Sequence, residues 1–483
     1  MPRIGSEMNI VDPILFHCRH QPEALAFCAP GTDLITYGRL EKTVNNIIAR
    51  AISVGLATGQ VVGVAVRQPA FHAAAIVALA RMGIVTASFS GPMPRDIRFD
   101  AILTDRGQSF PGVKTIVVDP GWIAGDGHPT KLTYVARGSD ICRILLTSGT
   151  TGESKGIAVT HDMVLGRILR YNTTYPHAAM CSRVFCDPGW ATALGFQLFV
   201  YTLGRGAAFF VRGDTAANTL RAFEFYRIDH LVAAPAALAE LVVEYDKHRC
   251  RHAVDLVHTA GGALSKSLSE RVRSRIGSTL ISDYGSAETS CVAAAPVSAI
   301  ENIAGAVGYV TPGIIVEIVD DADRLLPTGE EGIVRIRGDY AATEYVNDPE
   351  ATRRFFRNGW FYPGDLGSTT RDGALIITGR QTSILNLGGE KIKPEIIEDV
   401  LCAFMEGLEG TAVSVVNDAG VEEVWAAIAA RGPFDENALR AHCESKLAAT
   451  FVPKKFIILD QMPRNEMGKI SRPAVAELVQ RKR

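Results

Sequence analysis

The chain has 483 residues, of which 47% are apolar and 21% charged, and its formal net charge is −2. This length allows roughly two to four domain-sized units, and the composition excludes a disordered, fibrous or membrane protein. A nearly neutral charge balance gives no electrostatic signature of nucleic-acid binding, so we expect the partners to be small molecules.

Cysteine usage and the length of apolar runs predict the cellular compartment. The nine cysteines are scattered, without a C-x-x-C pair or zinc-ligand spacing, which predicts reduced thiols rather than disulfides or a metal site. No secretory signal pattern opens the sequence, and no uncharged apolar stretch reaches the ~18 residues of a membrane span. We therefore expect a cytoplasmic protein with no membrane partner.

From about residue 23 to residue 317, short β-branched runs alternate with segments of helical apolar spacing. The run 59–66 predicts a buried strand and 69–83 a helix, with Pro69 in its first turn and Gly83 at its end. The same order recurs in 207–228, 230–245 and 255–285. This alternation predicts a large α/β unit built on parallel strands.

The pattern changes after residue 314. Three β-rich runs between 314 and 378, separated by Gly, Asp and Pro, predict a small β-barrel subdomain. Beyond it, a helix from Pro394, the strands "AVSVVND" and "VWAAIAA", and a helix after Asp435 predict a small α+β domain. We place the boundary within 378–383, giving an N-terminal domain of 1–378 and a C-terminal domain of 379–483.

The stretch "LLTSGTTGESKGIAVTH" (145–161) combines hydroxyl side chains, glycines and Lys155 between apolar runs. Glycines let the backbone approach a ligand, and successive N–H groups form an anion-binding nest, so a polyphosphate is the expected guest. The loop is not the G-x-x-x-x-G-K-[ST] phosphate motif, because Ser154 precedes the lysine and Gly156 follows it. Taken alone, the stretch fits a solvated loop equally well.

Four further segments accompany this loop: "DYGSAET" (283–289), "GWFYPGDLG" (359–367), "TGRQTSILNLGGEKIKPEIIED" (378–399) and "PRNEMGKISR" (463–472). In this order and at these separations, the chain resembles the adenylate-forming superfamily, which comprises acyl- and aryl-CoA ligases, peptide-synthetase adenylation domains and luciferases. The resemblance covers essentially the whole chain and is closest to acyl-CoA ligases. It implies an N-terminal AMP-binding domain and a mobile C-terminal domain that carries a catalytic lysine.

The resemblance also implies the reaction. A carboxylic acid attacks the α-phosphorus of ATP, giving an acyl-adenylate and pyrophosphate, and the acyl group then passes to the thiol of CoA, with Mg²⁺ required. One alternative is an acyl-adenylate ligase that loads the phosphopantetheine of a carrier protein. An alternative from another class is a nucleotide- or acyl-adenylate-binding homologue without turnover. We expect a monomer or homodimer acting on a small or medium acid.

Site roles follow from the same resemblance. Lys469, Glu288 and Lys155 are the implied catalytic residues, and Glu288 with Thr147 would hold Mg²⁺, a hard cation that prefers oxygen ligands. Asp365 and Arg380 would grip the ribose hydroxyls. The residues implied in ATP or AMP binding are Thr147, Ser148, Gly149, Thr150, Thr151, Gly152, Gly261, Gly262, Ala263, Asp283, Tyr284, Gly285, Ser286, Ala287, Asp365, Ile377 and Arg380. For Tyr284 and the 261–263 run, plain core packing is the alternative.

The segment that resembles the domain junction implies contacts with CoA. Its CoA-binding candidates are Gly388, Gly389, Glu390 and Lys391, because glycine lets a pantetheine arm pass close to the backbone. The hinge position corresponds to Thr382, where the superfamily usually has Asp or Lys. This departure bears on the timing of domain rotation.

The acyl pocket is expected between 187–196, the glycines at 261 and 262, and the end of the "DYGSA" strand. Trp190 and Phe196 would be its apolar walls, although Trp190 fits a core position equally well. Ala287 stands where many members have Thr, which weakly favours an aromatic acid. An Asp187 anchor for an amino group is disfavoured because its spacing from Gly206 is too long.

Overall fold

The computed structural model describes residues 8–482 except 30–33, 129–131, 133, 148–154, 214, 249–251, 263, 382–384, 388–389, 406, 417–421, 431 and 465–469. Its helices, within those ranges, are α1 (Asp12–His20), α2 (Tyr37–Ser53), α3 (Pro69–Arg81), α4 (His161–Thr174), α5 (Ala193–Gly204), α6 (Ala216–Tyr226), α7 (Pro235–His248), α8 (Lys266–Arg275), α9 (Val297–Ile300), α10 (Pro349–Phe355), α11 (Pro394–Cys402), α12 (Glu436–Lys446) and α13 (Arg472–Arg481).

The strands are β1 (Leu25–Cys28), β2 (Ile35–Thr36), β3 (Val61–Ala65), β4 (Val85–Ser88), β5 (Ala101–Thr104), β6 (Lys114–Val117), β7 (Ile141–Thr147), β8 (Lys155–Thr160), β9 (Arg183–Cys186), β10 (Ala208–Val211), β11 (His230–Ala233), β12 (Leu256–Ala260), β13 (Leu280–Ser286), β14 (Ser290–Pro296), β15 (Ala306–Val310), β16 (Ile314–Val319), β17 (Gly332–Gly338), β18 (Phe356–Arg357), β19 (Trp360–Phe361), β20 (Asp365–Thr369), β21 (Ala374–Arg380), β22 (Leu385–Leu387), β23 (Glu390–Ile392), β24 (Leu408–Val416), β25 (Glu422–Ala430) and β26 (Lys455–Ile458).

Two sheets organise the chain up to Arg380. The first has the order β6-β5-β3-β4-β7-β8 and is parallel except for the β7–β8 pair. The second is longer, with a parallel centre in the order β13-β12-β11-β9-β10-β1. The predicted α/β class is confirmed, since helices follow most of these parallel strands and cover their apolar faces.

Helix α3 shows how local sequence sets these elements. Gln68 caps the helix by accepting from the backbone N–H of Phe71, Pro69 occupies the first turn, and Gly83 follows the helix at φ +69°. Its alanine-rich sequence is buried from Ala70 to Ala80, so small side chains let the helix pack closely against its neighbours. The helix predicted over 69–83 is confirmed, with its end at Arg81.

The β-rich region predicted for 314–378 is present as β16 to β21. These strands are antiparallel, and they continue the second sheet because β21 pairs with β15. The cross-strand register of β20 and β21 sets Asp365 directly opposite Arg380. The turn between these two strands is remote from this pair.

The residues after 384 form their own sheet, β24-β25-β26, with α11, α12 and α13 against it and the hairpin β22–β23 beside it. Their buried apolar side chains group with one another rather than with the cores of the two large sheets. Lys393 contacts the preceding unit by donating to Thr378 Oγ1 at 2.7 Å. The domain division into 1–378 and 379–483 stays a prediction.

Candidate active site

The predicted phosphate loop closes a hairpin. Strands β7 and β8 are antiparallel, and Thr147 lies directly opposite Lys155 at their ends. Loop positions Ser148, Gly149, Thr150, Thr151 and Gly152 lie outside the described residues. On the far side of the hairpin end, the carbonyl of Gly156 accepts a hydrogen bond of 2.8 Å from the backbone of Val346, which ties the hairpin to the segment before α10.

The carboxyl ends of β9, β11, β12 and β13 meet at one edge of the second sheet, where α/β proteins commonly bind ligands. Gly261 lies just beyond β12 with φ +90°, a conformation that favours glycine. Gly262 is exposed beside it, and Ala263 lies outside the described residues. The edge therefore offers open backbone where the sequence predicts the base of a nucleotide to lie.

Asp283 is held by buried side chains that the sequence analysis did not identify. Its Oδ2 accepts from the hydroxyl of Tyr175 at 3.1 Å and lies 3.0 Å from His258 Nε2. Burial raises the pKa of Tyr175 well above its ordinary value, so its hydroxyl remains a donor. These partners lie 108 and 25 residues away in sequence, and no local pattern signals the contact. The role of Asp283 in nucleotide binding stays a prediction.

Tyr284 contacts Asp365 of the Asp365–Arg380 pair, which the sequence predicts to grip the ribose hydroxyls. The Tyr284 hydroxyl donates to Asp365 Oδ2 at 2.5 Å, and Arg380 Nε lies 2.6 Å from Asp365 Oδ1. The Asp365 side chain is 5% exposed while the arginine side chain is 40% exposed. Burial, and then the charge of Asp365, raise the pKa of Tyr284 well above its ordinary value. Ile377 is half-buried on the same strand as Arg380.

The residues after Tyr284 form a tight turn into β14. A Cβ on Gly285 would lie 2.2 Å from the carbonyl oxygen of Ser290, so glycine is required where the β13–β14 register shifts. Ser286 and Thr289 share a hydrogen bond of 3.1 Å between their hydroxyls. The turn thus fixes the backbone on both sides of Glu288.

Glu288 is a buried carboxylate, 7% exposed. Tyr345 donates its hydroxyl to Glu288 Oε1 at 2.7 Å, and no cationic group pairs with this carboxylate among the residues that the structure describes. Buried charges in proteins are paired or coordinate metals, and Mg²⁺ in nucleotide sites is held by one or two carboxylates together with phosphate oxygens. Glu288 therefore fits a magnesium ligand. Thr147, its predicted partner, is half-buried at the end of β7.

The side chain of Arg167, on α4, clamps the same turn by hydrogen bonds to backbone carbonyls. The guanidinium donates to the carbonyls of Ala287, Glu288 and Tyr340 at 3.1, 3.0 and 3.0 Å. Ala287, which the sequence analysis noted as a departure, thus contributes its carbonyl to this clamp. An arginine in an amphipathic helix carries no sequence signal for such a role, so this clamp is visible only in the folded structure.

Trp190 and Phe196 are buried, at 6% and 1% exposure. The indole packs against Phe199 and Phe209, and the Arg143 guanidinium lies 4.8 Å from the centre of the Phe196 ring. These contacts fit the alternative in which the side chains belong to the hydrophobic core. Their role as pocket walls stays a prediction. Asp187, which was disfavoured as an amine anchor, pairs with Arg212 at 3.2 Å.

Only some of the predicted functional positions of the C-terminal unit are among the described residues. Thr382, Gly388, Gly389 and Lys469 lie outside the described residues, and the backbones of Glu390 and Lys391 pair in the β22–β23 hairpin.

The segment 465–469, which contains Lys469, is spanned by a bridge between Arg464 and Ile470. Directly after it, Arg472 donates to both carboxylate oxygens of Glu398 at 2.6 and 2.7 Å. The chain on the C-terminal side of the lysine segment is thus fixed to α11.

Comparison with known proteins supports the predicted resemblance. The model of the AMP-binding enzyme family matches residues 119–346. A 4-chlorobenzoate–CoA ligase from Arthrobacter sp. is 25% identical over 500 aligned positions, covering 96% of this chain and 94% of that protein.

Two solved structures of an o-succinylbenzoate–CoA synthetase from Bacillus subtilis share the fold. One contains its acyl-adenylate intermediate, with 19% identity, a TM-score of 0.83 and coverage of 98% of both chains. The other contains ATP and a magnesium ion, with the same identity and TM-score and coverage of 96% of this chain and 99% of that one. The predicted resemblance to the adenylate-forming superfamily, closest to its acyl-CoA ligases, is confirmed.

Within the described ranges, none of the helices has the length and apolar character needed to cross a membrane. The described cysteines are all free thiols, and most are buried. Burial raises the pKa of Cys142 to about 12, so this thiol stays protonated and unreactive.

Proposed function

We propose that this protein is an AMP-forming ligase that activates a carboxylic acid with ATP and transfers the acyl group to the thiol of CoA. The observation that carries the proposal is the convergence of Tyr284, Asp365 and Arg380 at one end of the sheet with the buried carboxylate of Glu288 four residues beyond Tyr284. The match of residues 119–346 to the AMP-binding enzyme family and the similarity to a CoA ligase support it.

In the first step, an oxygen of the substrate carboxylate forms a bond to the α-phosphorus of ATP, and the bond from that phosphorus to the bridging oxygen of pyrophosphate breaks. Catalysis of such a step consists mainly of positioning and charge neutralisation. Asp365 offers carboxylate oxygens to the ribose hydroxyls, with Arg380 orienting it. Lys155, at the start of β8, and Lys469 supply positive charge near the two reacting anions.

Glu288 would hold Mg²⁺, which when bound neutralises phosphate charge. The hairpin of β7 and β8 would present backbone N–H groups from 148–154 to the phosphates. Tyr284 offers an aromatic face to adenine while its hydroxyl remains bonded to Asp365. This arrangement would use strand ends from both large sheets, β7 from the first and β13 and β20 from the second.

In the second step, the CoA sulfur attacks the acyl carbonyl, a thioester bond forms, and AMP leaves. We propose that the hairpin β22–β23 contributes Gly388 and Gly389 to the passage of the pantetheine arm. The acid is proposed to be of small to medium size, and Ala287 weakly favours an aromatic one. We place the enzyme in the cytoplasm, which suits its free described cysteines.

The test is carboxylate-dependent exchange of labelled pyrophosphate into ATP over a panel of aromatic and aliphatic acids, followed by detection of the CoA thioester. Exchange with at least one acid and thioester formation with free CoA are the expected results. If pyrophosphate exchange occurs but the acyl group passes only to the phosphopantetheine of a carrier protein, the acceptor is that carrier and not CoA. Nucleotide binding without exchange for any acid would overturn the enzymatic proposal in favour of a binding homologue.

A further inference from the structure

One short segment connects the phosphate hairpin to the Glu288 turn. This segment comprises residues 340–346, between β17 and α10, and we call it the 340–346 bracket. The backbone N–H of Ala342 donates to the carbonyl of Glu288 at 2.7 Å, and that of Val346 donates to the carbonyl of Gly156 at 2.8 Å. The bracket thus sets the separation between the loop expected to hold phosphates and the carboxylate expected to hold the metal.

Tyr345 lies in this bracket between those two backbone contacts. Its hydroxyl donates to Glu288 Oε1 at 2.7 Å. Its ring packs edge-on against Phe355 and Phe356, with ring centres 6.0 and 5.2 Å away, and its own N–H donates to Thr352 at 3.0 Å. The tyrosine is 6% exposed, so α10 and its neighbours leave this side chain little freedom to rotate.

The other end of the bracket is held by α4. Arg167 donates to the carbonyl of Tyr340 and to that of Glu288. Tyr340 has φ +64° and Ser290, which follows the Glu288 turn, has φ +60°. Non-glycine residues persist in this left-handed region only where surrounding contacts hold them, and such residues cluster at functional sites.

We propose that Tyr345 is a positioning residue for the metal-binding carboxylate. Its hydroxyl fixes one oxygen of Glu288 and so holds the carboxylate in one orientation. This inference rests on the proposed function only in taking Glu288 as the metal ligand. A hydrogen bond of this kind behind a ligating carboxylate orients the ligand before the ion arrives.

The protonation states support this geometry. Burial, and next the charge of Glu288, raise the pKa of Tyr345 above its ordinary value. Three charged groups face the pair of Tyr345 and Glu288. Arg167, from α4, acts on the Glu288 carboxylate, and Asp348 and Arg380 act on the tyrosine through space. The phenol of Tyr345 therefore stays a hydrogen-bond donor at neutral pH.

The test is Tyr345→Phe, which removes only the hydroxyl. Outer contacts to metal ligands typically change metal affinity by about 10–100-fold, so we expect the free Mg²⁺ concentration for half-maximal pyrophosphate exchange to rise about tenfold. At saturating Mg²⁺, the KM for ATP and the maximal rate should return near the parent values. A purely structural tyrosine would lower stability without moving the Mg²⁺ curve.

The matched control is Tyr134→Phe. Tyr134 donates to Asp140 at 2.6 Å, so the change removes the same hydroxyl from another tyrosine–carboxylate pair. Asp140 precedes β7, and the seven residues of that strand separate it from the phosphate loop by roughly 20 Å. The Mg²⁺ dependence of this variant should match that of the parent.

A second measurement does not depend on turnover. With ATP fixed and Mg²⁺ titrated, the rise in Tm should need about tenfold more Mg²⁺ in Tyr345→Phe than in the parent. In a Glu288→Gln background, adding Tyr345→Phe should cause no further displacement, since both changes act on one ligand. An unchanged Mg²⁺ titration in Tyr345→Phe, or full additivity, would overturn the inference.

These outcomes separate the two proposals. If the parent protein binds Mg²⁺ and ATP but exchanges no pyrophosphate with any acid, the proposed reaction fails while the displaced Tm titration still supports the role of Tyr345. If exchange occurs and its Mg²⁺ dependence is identical in parent and Tyr345→Phe, the role of Tyr345 fails while the proposed reaction stands.

Discussion

Tyr284 donates its hydroxyl to Asp365 over 2.5 Å, although the two residues are 81 positions apart in sequence. The contact joins the end of a strand in the α/β part of the second sheet to the first residue of β20. Arg380, directly opposite on β21, holds the other oxygen of the same carboxylate. A group expected to bind ribose is thus oriented from two sides before any nucleotide arrives.

Asp365→Asn is predicted to weaken nucleotide binding. The amide retains one acceptor oxygen but loses the charge that pairs with Arg380, and a charge-assisted hydrogen bond is worth about 1.5–3 kcal/mol. We expect the KM for ATP to rise about tenfold or more in pyrophosphate exchange. Asp372→Asn, at the exposed turn of the same hairpin, should leave this KM unchanged. Equal KM values in the two variants would contradict the ribose assignment.

Lys469→Ala is predicted to lower the rate of adenylation by orders of magnitude while ATP still binds. The reason is that a single ammonium relieves repulsion between the α-phosphate and the incoming carboxylate, which both carry negative charge. Pyrophosphate exchange and an equilibrium ATP-binding measurement check the two halves of this statement. Lys454→Ala, which removes an exposed lysine of the same unit, is the control. Normal exchange in Lys469→Ala would show the role to be misassigned.

Arg167→Met is predicted to lower the free energy of unfolding by about 3 kcal/mol, because three backbone carbonyls lose their donor in a buried site. Denaturant unfolding at neutral pH measures the change. Arg221→Met, an exposed position on α6, should change it by less than about 0.5 kcal/mol. A loss at Arg167 no larger than that at Arg221 would mean that the clamp contributes nothing to stability.

His72 is predicted to make the protein less stable in acid. Its imidazole is buried between Val66 and Ser88, and desolvation, followed by the charge of Arg143, lowers its pKa to about 3. The unfolded chain binds a proton at this histidine near pH 6.5, whereas the folded protein keeps it neutral. The contribution of the buried, neutral His72 to the free energy of unfolding is therefore present above that pH and is lost as pH falls from about 6.5 towards 3.

One proton of difference corresponds to about 1.4 kcal/mol per pH unit at most. Unfolding free energies measured between pH 7 and pH 4 should therefore fall less steeply in His72→Gln than in the parent. Parallel slopes in the two proteins would show that His72 is protonated in the folded state or already accommodated there.

Much of the fold was readable from sequence because its signals are local. Helix α3 carries its start in Gln68 and Pro69 and its end near Gly83, and each of these acts through backbone conformation over a few residues. The order of β-branched runs and helical segments likewise predicted the α/β class. The domain boundary followed from the change of sequence pattern near residue 380 and the lysine segment from the resemblance, and both stay predictions.

The site was only partly predictable. Asp365 and Arg380 were identified as a pair, and their positions across one antiparallel hairpin make the contact a consequence of register. Asp283 was identified too, yet its partners Tyr175 and His258 were not. A buried hydrogen bond between residues far apart in sequence produces no periodic pattern in the sequence.

By itself, the sequence determined which residues are candidates for chemistry, since charge, hydroxyl groups and glycine flexibility belong to the residue type and its near neighbours. Only the tertiary structure decided how they are held: Arg167 reaching three carbonyls, and Tyr345 reaching Glu288 from 57 residues away. The physical reason is that directional hydrogen bonds act over about 3 Å in space, whatever the separation along the chain, and only the packing of helix α4 and the 340–346 bracket brings donor and acceptor within that distance.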